Sequence, residues 1–383
     1  MPSRIIYIPI EPYQSRYTEY NSVKDGVYET EFRRLGIPFV AIRPDNELRT
    51  IKQGQVLDVF GRTEWGFKQH LDLVQRICNG NIDPQEDAIF YEDFWTPGFE
   101  QLMYACSSKF GPAHRDHPKV YSFCHAQTLD KYDFTHKWAW WMRPLEKAWW
   151  DYQHRIFCAA REMFTPAAQA GFPITDGQVY KLNAVGHAFN KDVMLRVALH
   201  EKSHWYPWKE RNNNVIFAAR FDAEKNPNFF LDLVEEVTKE RSDIYFTVCT
   251  GQPNLPDNEF SKRAHEMRFK GDLIIANNLQ KTTYYSYLKQ AKVMFNCAFQ
   301  DWISYTVLDA AINGCAPLYP HWLTFPDVLE NDPRFLYENL NLKDAKEKLY
   351  KLIDSEEEPN LEFIYKKYED SVKRMTWHMG FRQ

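Results

Sequence analysis

The chain has little of what marks several common classes. No glycine-rich loop follows its first apolar run, Arg4 to Ile10, and glycine is scarce, 15 in 383 residues. The dinucleotide fingerprint is absent there, which argues against an oxidoreductase. The seven cysteines, Cys78, Cys106, Cys124, Cys158, Cys249, Cys297 and Cys315, are odd in number, scattered and without a C-x-x-C pair, a usage that fits reduced thiols. The opening MPSRIIYIPIEPYQ has too short an apolar run for a signal peptide, and no run approaches the length of a membrane span. A soluble, cytoplasmic chain is expected. With a net charge of −5 and a pI near 6.2, no global basic field recruits nucleic acid, although a local patch stays open. His114, His117 and His125 gather near an HRDH step, but no Cys or carboxylate completes a tetrahedral set at short range, so no metal is expected.

What the chain does have is a large apolar and aromatic content, 44% and 16%, enough for two domains. Phe299 to Pro320, FQDWISYTVLDAAINGCAPLYP, organises the rest. It continues an apolar run, Ala291 to Phe299, that suits a buried strand, and leads through a turn into a helix starting near Ser304 and closed by Gly314. Asp301 lies in the turn and Asp309 eight residues on, inside the helix. The free N–H groups and positive end of the helix can hold an anion, while Asp309 can accept hydrogen bonds from hydroxyls. Phosphate with sugar hydroxyls means a nucleotide.

Strand and helix patterns alternate along the chain. Arg4 to Ile10, a helical run to Leu35, and Ile37 to Ile42 make one β-α-β unit. Ala88 to Tyr91, Lys119 to Cys124 and Arg155 to Ala160 read as further strands, the last closing the first domain. Gly186 to Asn214 lacks a hydrophobic period and reads as a crossover. Val215 starts a second series with strands at Asp243 to Gly251 and Asp272 to Ala276. The loop after the first strand carries Ser15, Arg16 and Tyr17 at a strand's carboxyl end, where ligands bind in open α/β sheets; the same residues can equally staple the loop. Trp138 to Trp150, WAWWMRPLEKAWW, predicts a helix entered after Pro144 with its rings in the core, stacking on a sugar or base being the alternative.

Asp301 and Asp309 stand in a segment that resembles the E-x7-E signature of retaining, nucleotide-sugar-dependent glycosyltransferases of the GT-B architecture, with Asp for Glu at both ends and Trp302 and Ser304 where that family usually has Gly. VIFAARFDAEKNPNFF resembles the same family's opening donor unit, so that Arg220 and Lys225 are expected to contact the donor diphosphate. A cationic pair there stabilises the negative charge that builds on the leaving nucleoside diphosphate, and no divalent metal is obligatory. The resemblance further implies that Asp301 and His125 lie by the donor sugar. Asp309 would take the ribose, Ser304, Tyr305 and Thr306 the sugar and diphosphate, and Asn278 and Leu279 the edge of the base. No cofactor beyond a nucleoside-diphosphate sugar, a UDP-sugar foremost, is implied.

The expected fold is α/β GT-B: two Rossmann-like doubly wound domains facing a cleft, residues 1–195 binding acceptor and 215–359 binding donor, with a crossover at 196–214 and a C-terminal helix, 360–383, returning to the first domain. The EPYQSRYTEYNS loop and YEDFWTPGFEQLMYACS are similar to glycosyltransferases encoded by tailed bacteriophages, some of which glycosylate hydroxymethylated pyrimidines in DNA. On that resemblance Ser15, Arg16, Tyr17, Asp93, Asp130 and Asp133 face the acceptor, DNA is a partner, and the host cytoplasm is the location. A saccharide or lipid-linked glycan acceptor, and a non-catalytic binding protein, are the alternatives.

Overall fold

The computed structural model describes residues 1–14, 16–45, 58–133, 135–198 and 206–382. The chain builds two six-stranded sheets. In the first, β1 (Arg4–Ile8), α1 (Val27–Arg34), β2 (Phe39–Ala41), α2 (Val59–Cys78), β3 (Asp87–Tyr91), α3 (Phe99–Phe110), β4 (Lys119–Cys124), α4 (Ala139–Tyr152), β5 (Arg155–Cys158) and β6 (Leu182–Ala184) follow one another. All neighbours pair parallel, in the order β2-β1-β3-β4-β5-β6. Parallel strands covered on both faces need unbroken apolar side chains. β3 is buried along its whole length, and Ile5 to Ile8 are buried in β1.

The second series runs α5 (Lys191–Ala198), β7 (Asn212–Phe217), α6 (Pro227–Thr238), β8 (Tyr245–Cys249), α7 (Glu259–Lys270), β9 (Ile274–Ala276), α8 (Lys281–Gln290), β10 (Ala291–Phe295), α9 (Tyr305–Ile312), β11 (Ala316–Pro320), β12 (Leu336–Tyr337), α10 (Leu342–Ile353) and α11 (Ser371–Met379). The strand order is β9-β8-β7-β10-β11-β12, again parallel. The order reverses between β1 and β3 in one sheet and between β7 and β10 in the other. Loops leaving such neighbours diverge to opposite faces and open a crevice at the carboxyl ends.

Several boundaries differ from the sequence expectation, each for a local reason. β1 stops at Ile8 because Pro9 has no N–H to give the ladder, and Pro38 trims the start of β2 likewise. β10 ends at Phe295 rather than Phe299, where the Asn296 side chain accepts from Ala298 N at 2.8 Å and folds the chain into a turn. The supposed crossover contains α5, whose entry is fixed by Asn190 accepting from Val193 N at 3.0 Å. β5 is not the last strand of its sheet; the three-residue β6 pairs outside it. Helix α4 runs through Pro144 instead of starting after it, and Trp140, four residues back, is exposed, so the missing hydrogen bond falls on the solvent face.

The C-terminal helix α11 packs against α1 and β5, and Tyr121 Oη donates to Met379 O at 3.1 Å. Gly186 makes the approach possible: its φ is +81°, and a Cβ there would lie 2.7 Å from Ser371 Oγ. Among the described residues no helix is long and apolar enough to cross a membrane.

Candidate active site

A cavity of about 450 Å³ lies between the carboxyl ends of the two sheets. From the first sheet it takes the loops after β1, β3 and β4; from the second, those after β7, β8, β9 and β10. Those after β1, β3, β7 and β10 flank the switch points of the two sheets.

On the second-sheet side, Arg220 and Lys225 come from the loop after β7 and Asp301 from the loop after β10. Lys225 Nζ donates to Gln300 O at 2.9 Å and stands 3.6 Å from Asp301 Oδ2 and 3.8 Å from Glu224 Oε1. Arg220 binds the Glu224 carboxylate and lies 3.3 Å from Asp222. Burial pushes the Glu224 carboxyl up from its ordinary value, and the two cations pull it back in part. Glu224 is not among the residues the sequence singles out. It holds Arg220 directly and adds its charge beside Lys225, whose hydrogen bond goes to Gln300 O.

Ser304 is the N-cap residue of α9, and its Oγ lies 2.5 Å from Thr306 Oγ1, itself 3.1 Å from Tyr319 Oη. Asp309 is buried inside α9. Its Oδ1 accepts from Tyr285 Oη at 2.5 Å, and its Oδ2 pairs with Lys281 Nζ at 3.3 Å. Burial raises the Asp309 carboxyl above its ordinary value despite that ammonium. Lys281, only 4% exposed, is a further unanticipated residue of the cavity wall. Its signal is in the sequence: a lysine opening a helix faces the positive dipole end and calls for an acid partner. Asn278 and Leu279 use their amides internally, donating to Gln252 O at 2.8 Å and Thr250 O at 3.1 Å. Leu279 lines the cavity with Thr250 and Gln252, and Asn278 is not in its wall.

On the first-sheet side, His125 follows β4. Burial lowers its basicity, so the ring is neutral at pH 7. Its Nε2 lies 3.2 Å from Glu92 O, and because a carbonyl only accepts, that nitrogen carries the proton and Nδ1 the lone pair. Tyr305 crosses to this side. It stacks between Tyr17 at 4.8 Å and His187 at 4.2 Å, and its hydroxyl accepts from Asn21 Nδ2 at 2.8 Å. His187, held by Ile303 O at 2.8 Å and pushed down to about 3 by burial and by His125, completes this bridge between the sheets. The sequence places it only within the crossover.

The expected acceptor residues divide. Arg16, Tyr17, Asp93 and Asp133 line the cavity; Ser15 lies outside the described residues. Asp93 is largely committed to protein, accepting from Arg62 at 2.5 Å and Gln127 at 2.8 Å. Asp130 is buried away from the wall and accepts from Tyr132 N at 2.9 Å. Arg62, unanticipated, bridges Asp93 and Glu11 beneath the β1 loop. The HRDH histidines are engaged elsewhere, His117 with Gly111 O and Tyr152 Oη. Among the described residues no group of three His, Cys, Asp or Glu is arranged to hold a metal ion.

Glu92 supports the site from below, accepting from Tyr7 Oη at 2.5 Å, Ser22 Oγ at 2.7 Å and Ile10 N at 3.3 Å. Burial outweighs these bonds and raises its carboxyl from 4.5 to about 7. The folded chain therefore keeps a proton that the unfolded chain releases. The stability Glu92 contributes is complete below pH about 4.5 and is lost as pH rises through about 7. Thermal unfolding against pH is expected to show this decline in the wild type and a flatter profile in Glu92→Gln; an unchanged slope would assign the decline to another group.

Two facing Rossmann-like domains with a cationic, helix-capped crevice between them define the GT-B class of glycosyltransferase folds. Residues 201–370 match the model of the family described as Glycosyl transferases group 1. The tRNA-queuosine alpha-mannosyltransferase of Drosophila melanogaster is 23% identical over 119 residues, 31% of this chain and 31% of that protein. The chain thus matches about a third of that curated relative's length. Among solved structures, sucrose-phosphate synthase from Thermosynechococcus elongatus superposes with a TM-score of 0.61 at 10% identity, covering 99% of this chain and 97% of that one. Anabaena Alr3699/HepE in complex with UDP and glucose gives 0.59 at 8%, covering 99% of each. A point mutant of S. aureus TarM, in complex with Fondaparinux, alpha-GlcNAc-glycerol and UDP, gives 0.57 at 14%, covering 81% of this chain and 58% of that one. At these identities the likeness is one of fold.

Proposed function

We propose that this chain is a retaining glycosyltransferase that moves a sugar from a nucleoside-diphosphate sugar, a UDP-sugar foremost, to a hydroxyl on a nucleic-acid base, a 5-hydroxymethyl pyrimidine of phage DNA. The observation that carries the reading is the meeting of Arg220, Lys225 and Asp301 at one switch point, across a single cavity from His125 and Tyr17. In this reading Arg220 and Lys225 hold the diphosphate and the amides opening α9 support it. Asp301 and His125 orient the sugar, and Asp309 with Lys281 faces the ribose. As the bond from the anomeric carbon to the leaving phosphate breaks, the acceptor oxygen attacks from the same face, and a phosphate oxygen takes the acceptor's proton. Positioning and charge stabilisation then supply the rate, with no protein nucleophile.

UDP in the HepE and TarM complexes supports the choice of donor. A relative named for a tRNA nucleoside, together with the phage resemblance of the first domain, supports a base-borne hydroxyl. A saccharide acceptor is the second reading, favoured by the alpha-GlcNAc-glycerol in the TarM complex. The test incubates the protein with a panel of nucleotide sugars, with and without hydroxymethylcytosine DNA, tRNA or oligosaccharides, and measures free nucleoside diphosphate and acceptor mass. Release coupled to a hexose or pentose mass gain on one base is the expected result. A gain on the oligosaccharide alone would move the acceptor to a glycan, and no release from any donor would make the chain a binding protein.

A further inference from the structure

The tryptophan cluster is not absorbed by this reading. Trp149 and Trp150 are buried, as expected of core rings, but Trp140 is 82% exposed and Trp141 38% exposed. Large rings exposed together at one end of a helix, rather than scattered singly, mark an interaction surface. Tyr132, also exposed, precedes them on the same stretch. Lys131 Nζ sits 4.8 Å from the centre of the Tyr132 ring, and Lys137 Nζ lies 5.2 Å from that of Trp138.

Charge on this stretch has one sign at the surface. Lys131, Lys137 and Lys147 are exposed, Lys147 pairing with Asp151 at 3.4 Å. The acids between them face inward: Glu146 is buried on Thr128, and the half-buried Asp133 accepts from Thr135 N at 2.8 Å. Asp151 is itself exposed and offsets Lys147, so the surface cations left to this face are Lys131 and Lys137, in a chain of net charge −5. The stretch is anchored from beneath, since Arg143 Nη2 donates to Thr128 O at 2.8 Å and His136 Nδ1 lies 3.1 Å from the same oxygen. It is also continuous with the cavity, to whose wall it contributes Asp133 and Thr135.

We propose that the exposed face of Lys131 to Lys147 is a stacking platform for single-stranded or locally opened nucleic acid, which it leads to the acceptor side of the cavity. Flat exposed rings accompanied by ammonium groups match unstacked bases and their phosphates. A paired duplex hides its base planes, so opened strands fit better. A lipid surface fits less well, because a helix lying in a membrane interface needs a long continuous apolar face, and the one formed by Trp140, Trp141, Pro144 and Leu145 ends at Lys147. The inference rests on the nucleic-acid acceptor proposed above.

The experiment uses the full chain and a labelled single-stranded oligonucleotide of about 20 nucleotides, with its duplex for comparison, read by fluorescence anisotropy. The single strand is expected to bind more tightly than the duplex, and binding should weaken between roughly 50 and 200 mM salt. W140A/W141A is expected to lose roughly tenfold or more in affinity, and K131Q/K137Q to show a shallower salt dependence. Both pairs are exposed, so thermal unfolding should match the wild type. Donor hydrolysis without acceptor, followed as UDP release from UDP-sugars, should also be unchanged. No binding, or binding indifferent to these substitutions, would overturn the platform even if hydrolysis is present. Binding lost in W140A/W141A while no donor is ever hydrolysed would keep the platform and defeat the catalytic reading. Vesicles of phosphatidylserine and phosphatidylcholine serve as a control. Capture by them, abolished in W140A/W141A and without oligonucleotide binding, would assign the face to lipid and overturn the proposal.

Discussion

Lys225→Ala is expected to lower kcat/KM for the nucleotide sugar by about 100- to 1,000-fold, the range typical of removing one preorganised group that stabilises transition-state charge. Lys225 is held on Gln300 O at 2.9 Å, beside Asp301 and Glu224, so its ammonium is in position before any substrate arrives. Charge on the leaving diphosphate grows as the bond to the sugar stretches. The loss should therefore fall more on kcat than on KM. Arg220→Ala should act in the same direction. Because Arg220 and Lys225 share Glu224, their effects should not simply add. Steady-state kinetics with a saturating acceptor would check this. A loss of less than about tenfold in both variants would remove the diphosphate role from this pair.

Lys281→Met is expected to destabilise the chain by about 3–5 kcal/mol, the cost of leaving a buried charge without its partner. The pair is almost wholly enclosed, and Lys281 Nζ also lies 5.1 Å from the centre of the Tyr20 ring, which belongs to the other half of the cleft. Removing the ammonium leaves the Asp309 carboxylate to the Tyr285 hydroxyl. Burial already raises that carboxyl, and losing Lys281 raises it further. A group with a raised folded pKa costs stability as pH rises through it, so the deficit of Lys281→Met should shrink on acidification. Adding Asp309→Asn should restore much of the loss at neutral pH, because an amide needs no counter-charge. Urea unfolding of the two single variants and the double at two pH values would decide. Additive losses would mean the two side chains act independently.

The β-α alternation and the two-domain α/β architecture were legible because parallel strands are apolar throughout and carry their own punctuation in Gly, Pro and Asn. The cationic pair was legible for a related reason: Arg220 and Lys225 are five residues apart, directly after the strand that carries them. Short or capped elements escaped. α5 begins at an asparagine whose capping bond cannot be seen in a string, and β6 is only three residues of edge strand. The tryptophan segment misled because composition does not say which rings face inward. Continuing α4 through Pro144 turns Trp149 and Trp150 into the core and leaves Trp140 and Trp141 outside.

By itself, then, the sequence determined the class of fold, the strand end bearing Arg220 and Lys225, and the Asp301-to-Asp309 turn and helix, since each depends on residues close together in the chain. Only the tertiary structure decided which distant groups share the cavity. Lys281 reaches Asp309 across 28 positions, and Tyr305 enters the first half of the molecule to stack on Tyr17, 288 positions away. Those contacts follow from how strand order reverses at the two switch points and from how the halves are joined, and both are properties of long-range packing that no local pattern encodes.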